Sequence, residues 1–195
     1  HRDLHSFPTR RSSDLQMHRE AGIKLAAKKT HLFQKEAEYL GYRVDAEGIH
    51  MQDEYVQKIL EWPVPKTIRE LSSFLGFSGY YRSFISNYAY LTGEMNAQKK
   101  KKELEWTEDM NLKFEILKGL FAKKPIRAYP RFGEDEALFE VTPDFSCEAL
   151  GGVLEQEQDG QRRFIGAAGR KTTPGEKNYP PTKGELCAQI GRAHV

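Results

Sequence analysis

The sequence is poor in cysteine and in long apolar runs, and each shortage excludes a class of protein. Its two cysteines, Cys147 and Cys187, are too few for the disulfide framework of a small secreted domain or for a four-ligand zinc site. No apolar run approaches the roughly 18 residues that a membrane-spanning helix needs. With 38% hydrophobic and 30% charged residues among 195, the composition fits one or two small domains in an intracellular setting.

The sequence also lacks the basic composition of many nucleic-acid-binding proteins, because its formal net charge is only +2. Residues 1–15 and 190–195 resemble translated adapters of short-read DNA sequencing, and we interpret them as foreign ends that pack against nothing. The alternative is a basic tail or a targeting peptide. Each end carries one net positive charge, so the rest of the chain is neutral. Any nucleic-acid-binding surface must come from local clustering of Lys and Arg.

An amphipathic helix after Pro65 is the clearest predicted element. Thr67 and Glu70 have the spacing of a capping box, which predicts a helix over about 67–84. Gly76 and Gly79 each cost about 1 kcal/mol against alanine in a helix interior, so we expect another part of the chain to pack closely there. One helical face carries Leu71, Phe74, Leu75, Ser78, Tyr81, Arg82 and Ile85.

Shorter patterns predict further strands and helices and place the chain in the α+β class. Asp159-Gly160 between two alternating stretches favours a β-hairpin. The predicted strands are 28–33, 37–44, 49–51, 137–141, 149–155 and 162–167. The other predicted helices begin at 53, 86, 107 and 182, and the one that begins at 86 continues into the lysines at 99–102.

The sequence motif at residues 62–85 is more specific than the periodicity of these residues. It reads W-P-x-P-x-T-x-x-E-L-x-x-F-L-G-x-x-x-Y-Y-R-x-F-I, which resembles the thumb of reverse transcriptases from gypsy-type LTR retrotransposons. In that family the thumb holds the template-primer duplex. Residues 39–49 resemble the end of the palm, and residues 106–132 resemble the connection into ribonuclease H.

The resemblance implies an α+β fold made of the end of a palm, a helical thumb and the opening of a truncated ribonuclease H-like fold. In that opening, the first antiparallel strands are followed by the first helix. The implied segments are a non-native tail at 1–15, the end of the palm at 16–52, the thumb at 53–103, the connection at 104–136, the partial ribonuclease H-like domain at 137–189 and a second non-native tail at 190–195.

Two acids match the family's ribonuclease H site, in which carboxylates hold two divalent ions. The family's T-D-A-S is followed by G-A-V-L, and here residues 142–146 read Thr-Pro-Asp-Phe-Ser, so Asp144 is the match. The family's helix motif E-L-x-A appears at 185–188, so Glu185 is the match. The resemblance thus implies that Asp144 and Glu185 are catalytic and bind Mg²⁺, a hard cation that prefers oxygen ligands. Without the motifs, either acid would be read as a solvated surface residue.

Several residues depart from the family pattern, and we interpret them as marks of a decayed copy or of read errors. They are Pro143, which lacks the N–H of a ladder bond and is tolerable only at a strand edge or end, Phe145, Gly169 and Gly184. The family's polymerase aspartates would precede residue 16, and its other two ribonuclease H aspartates would follow residue 188. We therefore expect this chain not to cleave RNA.

The expected phosphate contacts are Lys66, Arg69, Arg82, Lys99, Lys100, Lys101 and Lys102, because Lys and Arg pair with a nucleic-acid backbone without reading bases. Two alternatives stay open, a merely solvated lysine run and a buried Arg82 that pairs with a helix end.

The leading hypothesis is a fragment of a retrotransposon Pol polyprotein. Its parent would be an RNA-directed DNA polymerase with ribonuclease H activity, in a cytoplasmic particle or the nucleus. The implied partners are an RNA–DNA hybrid or template-primer duplex and the rest of Pol. The alternatives are a non-catalytic nucleic-acid-binding thumb module and a reading frame through a library insert that acts nowhere in a cell.

Overall fold

The computed structural model describes residues 16–17, 19–22, 34–133 and 136–190, without the side chain of Ile190. The chain divides into two units between Lys35 and Glu36. In the first unit, residues 16–17 and 19–20 are helical, and the Ala21 N–H donates to the Met17 carbonyl at 2.9 Å. The predicted strand at 28–33 and, apart from the backbone of Ile190, the two predicted foreign ends lie outside the described residues.

The second unit combines two antiparallel sheets with five helices over its described residues, which confirms the α+β class. None of the described helices has both the length and the apolar character needed to cross a membrane. The elements are β1 Ala37–Tyr39, β2 Tyr42–Val44, β3 Ile49–Met51, α1 Asp53–Leu60, α2 Ile68–Tyr80, α3 Tyr88–Gln98, α4 Glu108–Ala122, β4 Phe139–Phe145, β5 Ala149–Gln158, β6 Gln161–Lys171 and α5 Pro181–Ile190, with 3-10 turns at Arg82–Phe84 and Glu176–Asn178.

The first sheet has the order β1-β2-β3 and corrects one prediction. Residues 37–44 are not one strand but a hairpin, in which Tyr39 pairs with Tyr42. Leu40 and Gly41 both have positive φ, 47° and 78°, as a two-residue type I′ turn requires. The pattern was misleading because leucine seldom occupies such a turn.

Helix α2 begins where the capping box predicts and ends four residues early. The Glu70 N–H donates to Thr67 Oγ1 at 3.2 Å, while the Glu70 carboxylate accepts from the Lys66 N–H at 2.7 Å. The helix stops at Tyr80, and the chain then tightens into the turn Arg82–Phe84. The side chains of Leu71, Phe74, Leu75 and Ser78 are buried, and so are those of Tyr81 and Ile85 after the helix. The predicted face is therefore confirmed except at Arg82, which is exposed.

The hydrophobic core lies where α2 meets α1, α3 and α4. The rings of Phe74 on α2 and Phe114 on α4 are 4.8 Å apart and both are fully buried. Trp62 and Trp106 contact these two rings from the sides. Stacked and edge-on aromatic pairs add to the free energy of burial, so this cluster fixes the helical part around α2.

The second sheet has the order β4-β5-β6, with α5 packed against β4. The predicted hairpin is confirmed, since Asp159 and Gly160 have φ of 55° and 74° between the paired residues Gln158 and Gln161. Pro143 lies in β4, which is an edge strand of this sheet. An edge strand has one side without a partner, and this explains how the proline is tolerated.

Arg127 connects the first sheet, the turn after α2 and the second sheet. Its backbone exchanges two hydrogen bonds with Ile49, at 2.8 and 3.0 Å. Its guanidinium donates to the Ile165 carbonyl at 3.0 Å and to Ser83 Oγ at 3.2 Å, and it lies over the Phe84 ring. Periodicity gave no sign of this junction, because no regular element contains Arg127.

Candidate functional site

Helix α2 presents one exposed polar face opposite its buried one. Arg69, Ser73, Gly76 and Tyr80 follow one another at spacings of four, three and four, and all are exposed, so they form a row along the helix. A Cβ added to Gly76 would meet nothing within 4 Å, and the predicted close packing there is wrong. A Cβ on Gly79 would make only an ordinary contact with the Tyr88 hydroxyl, at 3.5 Å. The space at Gly76 leaves room for a ligand to approach the helix backbone.

All seven predicted phosphate contacts are exposed, and they lie at three places on the fold. Lys66 and Arg69 are at the start of α2, Arg82 is in the turn after α2, and the lysine run follows α3. Within that run Lys101 pairs with Glu105 at 2.5 Å, so the charge of the lysine run is partly compensated. The alternative of a buried Arg82 is wrong, because its side chain is exposed.

Asp144 and Glu185 occupy different surroundings. Asp144 is exposed on β4 and lines a cavity of about 240 Å³, whose other wall is formed by Asn87 and Tyr90. Glu185 is exposed on α5 and does not line that cavity. Over the described ranges, no group of three or more His, Cys, Asp or Glu side chains could hold a metal ion. The catalytic assignment of the two acids therefore stays a prediction.

The two most puzzling departures from the family pattern contact each other. Gly184 on α5 is buried, and a Cβ added to it would overlap three atoms of the Phe145 ring. Phe145 is half-buried at the end of β4. The larger residue on the strand thus occupies the space that the glycine leaves on the helix. This contact gives a packing reason for a pair that sequence reasoning had interpreted as decay.

Glu176 is the acid that the structure holds most firmly near this helix. Its carboxylate accepts two hydrogen bonds from the Arg170 guanidinium, at 2.8 and 2.7 Å, and one from the Thr173 N–H at 2.7 Å. Arg170 first, and then the Thr173 N–H, hold the pKa of Glu176 well below its ordinary value. Glu176 therefore stays ionised and anchors the segment that leads into α5.

The described residues form a helical part built around one capped helix, followed by three antiparallel strands and a helix, with an acid on the first strand. This is the arrangement of an α+β protein in which a helical part leads into an antiparallel sheet.

Comparisons with known proteins agree with this class. Residues 106–192 match the family described as the RNase H-like domain found in reverse transcriptase. The chain is 36% identical over 177 residues to the Pol polyprotein from transposon 297 of Drosophila melanogaster, with 88% of this chain and 16% of the relative covered. It is 32% identical over 184 residues to the Pol polyprotein from transposon gypsy of the same fly, with 88% and 17% covered.

A solved structure shares the fold. The foamy viral protease-reverse transcriptase in complex with an RNA/DNA hybrid superposes with a TM-score of 0.69 at 19% identity, over 93% of this chain and 26% of that one. The chain spans less than a fifth of the length of the two curated relatives. It belongs to the Pol polyprotein family of gypsy-type retrotransposons.

Proposed function

We propose that this chain grips duplex nucleic acid through the exposed face of α2. We further propose that the longer Pol protein is an RNA-directed DNA polymerase that also cleaves RNA in RNA–DNA hybrids. The observation that carries the proposal is the row of Arg69, Ser73, Gly76 and Tyr80, exposed along a helix whose other face is buried. The hybrid bound by the foamy viral neighbour supports a duplex as the ligand. Because the chain spans less than a fifth of its two curated relatives, we propose the remainder of Pol as the second partner.

Each member of the row suits a duplex groove without reading its sequence. Arg69, with Lys66 one turn earlier, supplies positive charge for phosphates. Gly76 lets sugar and phosphate atoms come close to the helix backbone, because no side chain stands between them. Tyr80 offers its exposed ring, which is held in place because the Tyr80 hydroxyl donates to the Leu40 carbonyl at 2.6 Å. Binding of this kind depends on shape and charge, so it falls steeply with salt.

The test compares two exposed helical glycines in the full chain. Gly76→Leu puts a side chain into the row, whereas Gly119→Leu puts the same side chain on α4, where a Cβ also meets nothing within 4 Å. Both changes raise helix propensity by about 1 kcal/mol, so neither is expected to unfold the chain. We expect Gly76→Leu to weaken hybrid binding at least tenfold, about 1.4 kcal/mol, and Gly119→Leu to leave it unchanged.

Fluorescence anisotropy with a labelled RNA–DNA hybrid, repeated from low to moderate salt, measures the affinity of each variant for the hybrid and the dependence of that affinity on salt. Circular dichroism of each variant confirms that the helices are retained. Equal hybrid affinity of the two variants would contradict the proposal. Binding that is insensitive to salt, or that depends on base sequence, would contradict it too.

The ribonuclease H part of the proposal assigns Mg²⁺ to Asp144 and Glu185. Both acids are exposed and offer the oxygen ligands that this ion prefers, and the ion takes one or two protein carboxylates while keeping its waters. When bound in a pair, such ions activate water and stabilise the leaving oxygen. We propose that the two carboxylates hold one such ion weakly. We propose that cleavage requires carboxylates from elsewhere in Pol.

A non-catalytic duplex-binding module is the second candidate function. The exposed α2 row favours it, because binding a duplex through this row needs no metal site. The two candidates differ in one measurement. Joining the chain to the following part of Pol should create Mg²⁺-dependent cleavage that Asp144→Asn abolishes if the first candidate is right, and should not if the second is right.

A further inference from the structure

The outer face of α4 carries an exposed apolar row. Leu112 and Ile116 lie one turn apart and are 60% and 44% exposed. Gly119 comes one turn later, and a Cβ added to it would meet nothing within 4 Å. Phe114 and Leu117 on the opposite face of the helix are fully buried. We call Leu112, Ile116 and Gly119 the α4 row, and no other part of the described chain covers it.

The two ends of the α4 row carry opposite charges. Glu108 lies one turn before Leu112, and Lys123 lies one turn after Gly119, at the end of the helix. Both charged residues are exposed, and neither forms a salt bridge with another residue that the structure describes. The face is thus acidic at its start, apolar in its middle and basic at its end. It complements a copy of itself that runs in the opposite direction, because each acidic start then meets a basic end.

We propose that the α4 row is a self-association face, on which a second copy of this chain docks its own α4 in the antiparallel direction. A two-fold axis close to Ile116 places Glu108 of one copy opposite Lys123 of the other. The same axis places Leu112 opposite Gly119. The leucine side chain enters the space that the glycine leaves, as a knob enters a hole between packed helices. Both contacts occur twice, because such an interface is isologous.

The charges and the length of α4 set the direction and the strength of this contact. A parallel pair would place Glu108 beside Glu108 and Lys123 beside Lys123, and like charges across an interface repel each other. Helix α4 has 15 residues and is therefore about 22 Å long. A contact through one such helix is smaller than a standard protein–protein interface, so we expect a weak dimer that forms at micromolar concentrations.

The α4 row and the α2 row lie on opposite sides of the helical part. The Phe74 ring on α2 meets the Phe114 ring on α4 at 4.8 Å. Each row is on the face of its helix that points away from that ring. A second copy docked on α4 therefore leaves the α2 row open to a duplex, and self-association and duplex binding are separate properties of the chain.

Sedimentation velocity of the full chain over a range of micromolar concentrations measures the dissociation constant of the dimer. We expect Leu112→Gln to weaken self-association roughly tenfold or more, because the apolar contact at the centre of the interface is lost. Leu138→Gln removes an equally large side chain, 90% exposed just before β4, and should leave the dissociation constant unchanged. Circular dichroism confirms that both variants keep their helices. A chain that stays monomeric at the highest concentration, or equal effects of the two changes, would overturn the proposal.

A charge exchange tests the antiparallel direction. Glu108→Lys and Lys123→Glu should each weaken the dimer about tenfold, because each places like charges opposite one another twice in the interface. The chain with both changes should dimerise within about threefold of the unchanged chain, because opposite charges face each other again. Both changes oppose the helix dipole, so recovery in the double variant cannot come from a more stable helix. A double variant as weak as either single one would overturn the proposal.

The Gly76→Leu variant separates this test from that of hybrid binding. Its new side chain lies in the α2 row, so the dissociation constant of the dimer should stay unchanged. Weakening of the dimer equal to that caused by Leu112→Gln would contradict the assignment of self-association to α4. Sedimentation is measured without nucleic acid, so the two proposals fail separately.

Discussion

Replacing Gly184 with alanine should have opposite effects on stability depending on whether Phe145 is present. An alanine is worth about 0.5–1 kcal/mol more than glycine within a helix. At this position, however, the added methyl group would overlap the Phe145 ring. Overpacking of this kind typically costs about 1–3 kcal/mol. We therefore expect Gly184→Ala to lower the free energy of unfolding by about 1 kcal/mol in the unchanged chain.

The double-mutant cycle separates the contact from the helix propensity. Phe145→Ala alone should destabilise the chain by about 1–2 kcal/mol, because the ring is half-buried and full burial of a phenylalanine contributes about 1.5–3 kcal/mol. In that background Gly184→Ala should raise stability by about 0.5–1 kcal/mol. The coupling free energy is then about 2 kcal/mol, within the range for residues in contact.

Urea unfolding followed by far-UV circular dichroism measures all four chains. Hydrogen exchange in α5 serves as a local readout, since a helix at one side of the sheet can open before the core does. Stabilisation by Gly184→Ala in the unchanged chain would refute the overlap. Equal effects of this change in both backgrounds would show that the strand and helix residues do not compensate each other.

Three further predictions concern the junction, the acid side of the pH profile and catalysis. Arg127→Ala removes two side-chain hydrogen bonds, so it should destabilise the chain by about 2 kcal/mol. It should also speed hydrogen exchange at 82–84 and 164–166, and unchanged exchange there would contradict the role of Arg127 as a junction. The His50 ring, whose Nε2 lies 2.9 Å from Asp45 Oδ1, holds the pKa of Asp45 below its ordinary value. The resulting stabilisation of the fold is complete above about pH 4 and is lost as the pH falls below it. The deficit in melting temperature of Asp45→Asn should therefore shrink between pH 6 and pH 3, and a constant deficit would argue against this linkage. The chain and its Asp144→Asn variant should show the same background when incubated with a labelled hybrid and Mg²⁺; cleavage that only the variant loses would refute our expectation of an inactive chain.

Much of this protein's local structure was readable from sequence because it depends on neighbours along the chain. The Thr67 cap, the apolar face of α2 and the Asp159-Gly160 turn are short-range features, and each is confirmed. The motifs shared with the family carried more information about the candidate site than periodicity did. Neither Asp144 nor Glu185 could be selected from the other exposed acids by its own pattern, and only the residues around them pointed to a site.

The sequence could not determine the contacts between residues that are far apart along the chain. The sequence determined the α+β class, the Pol family and which face of α2 is buried. The tertiary structure alone decided that Gly76 faces open space, that Phe145 fills the gap at Gly184, and that Arg127 links two sheets to the turn after α2. The physical reason is that helix caps and periodicity arise within a few residues, whereas packing and hydrogen bonding across 40 residues depend on how the elements come together in space.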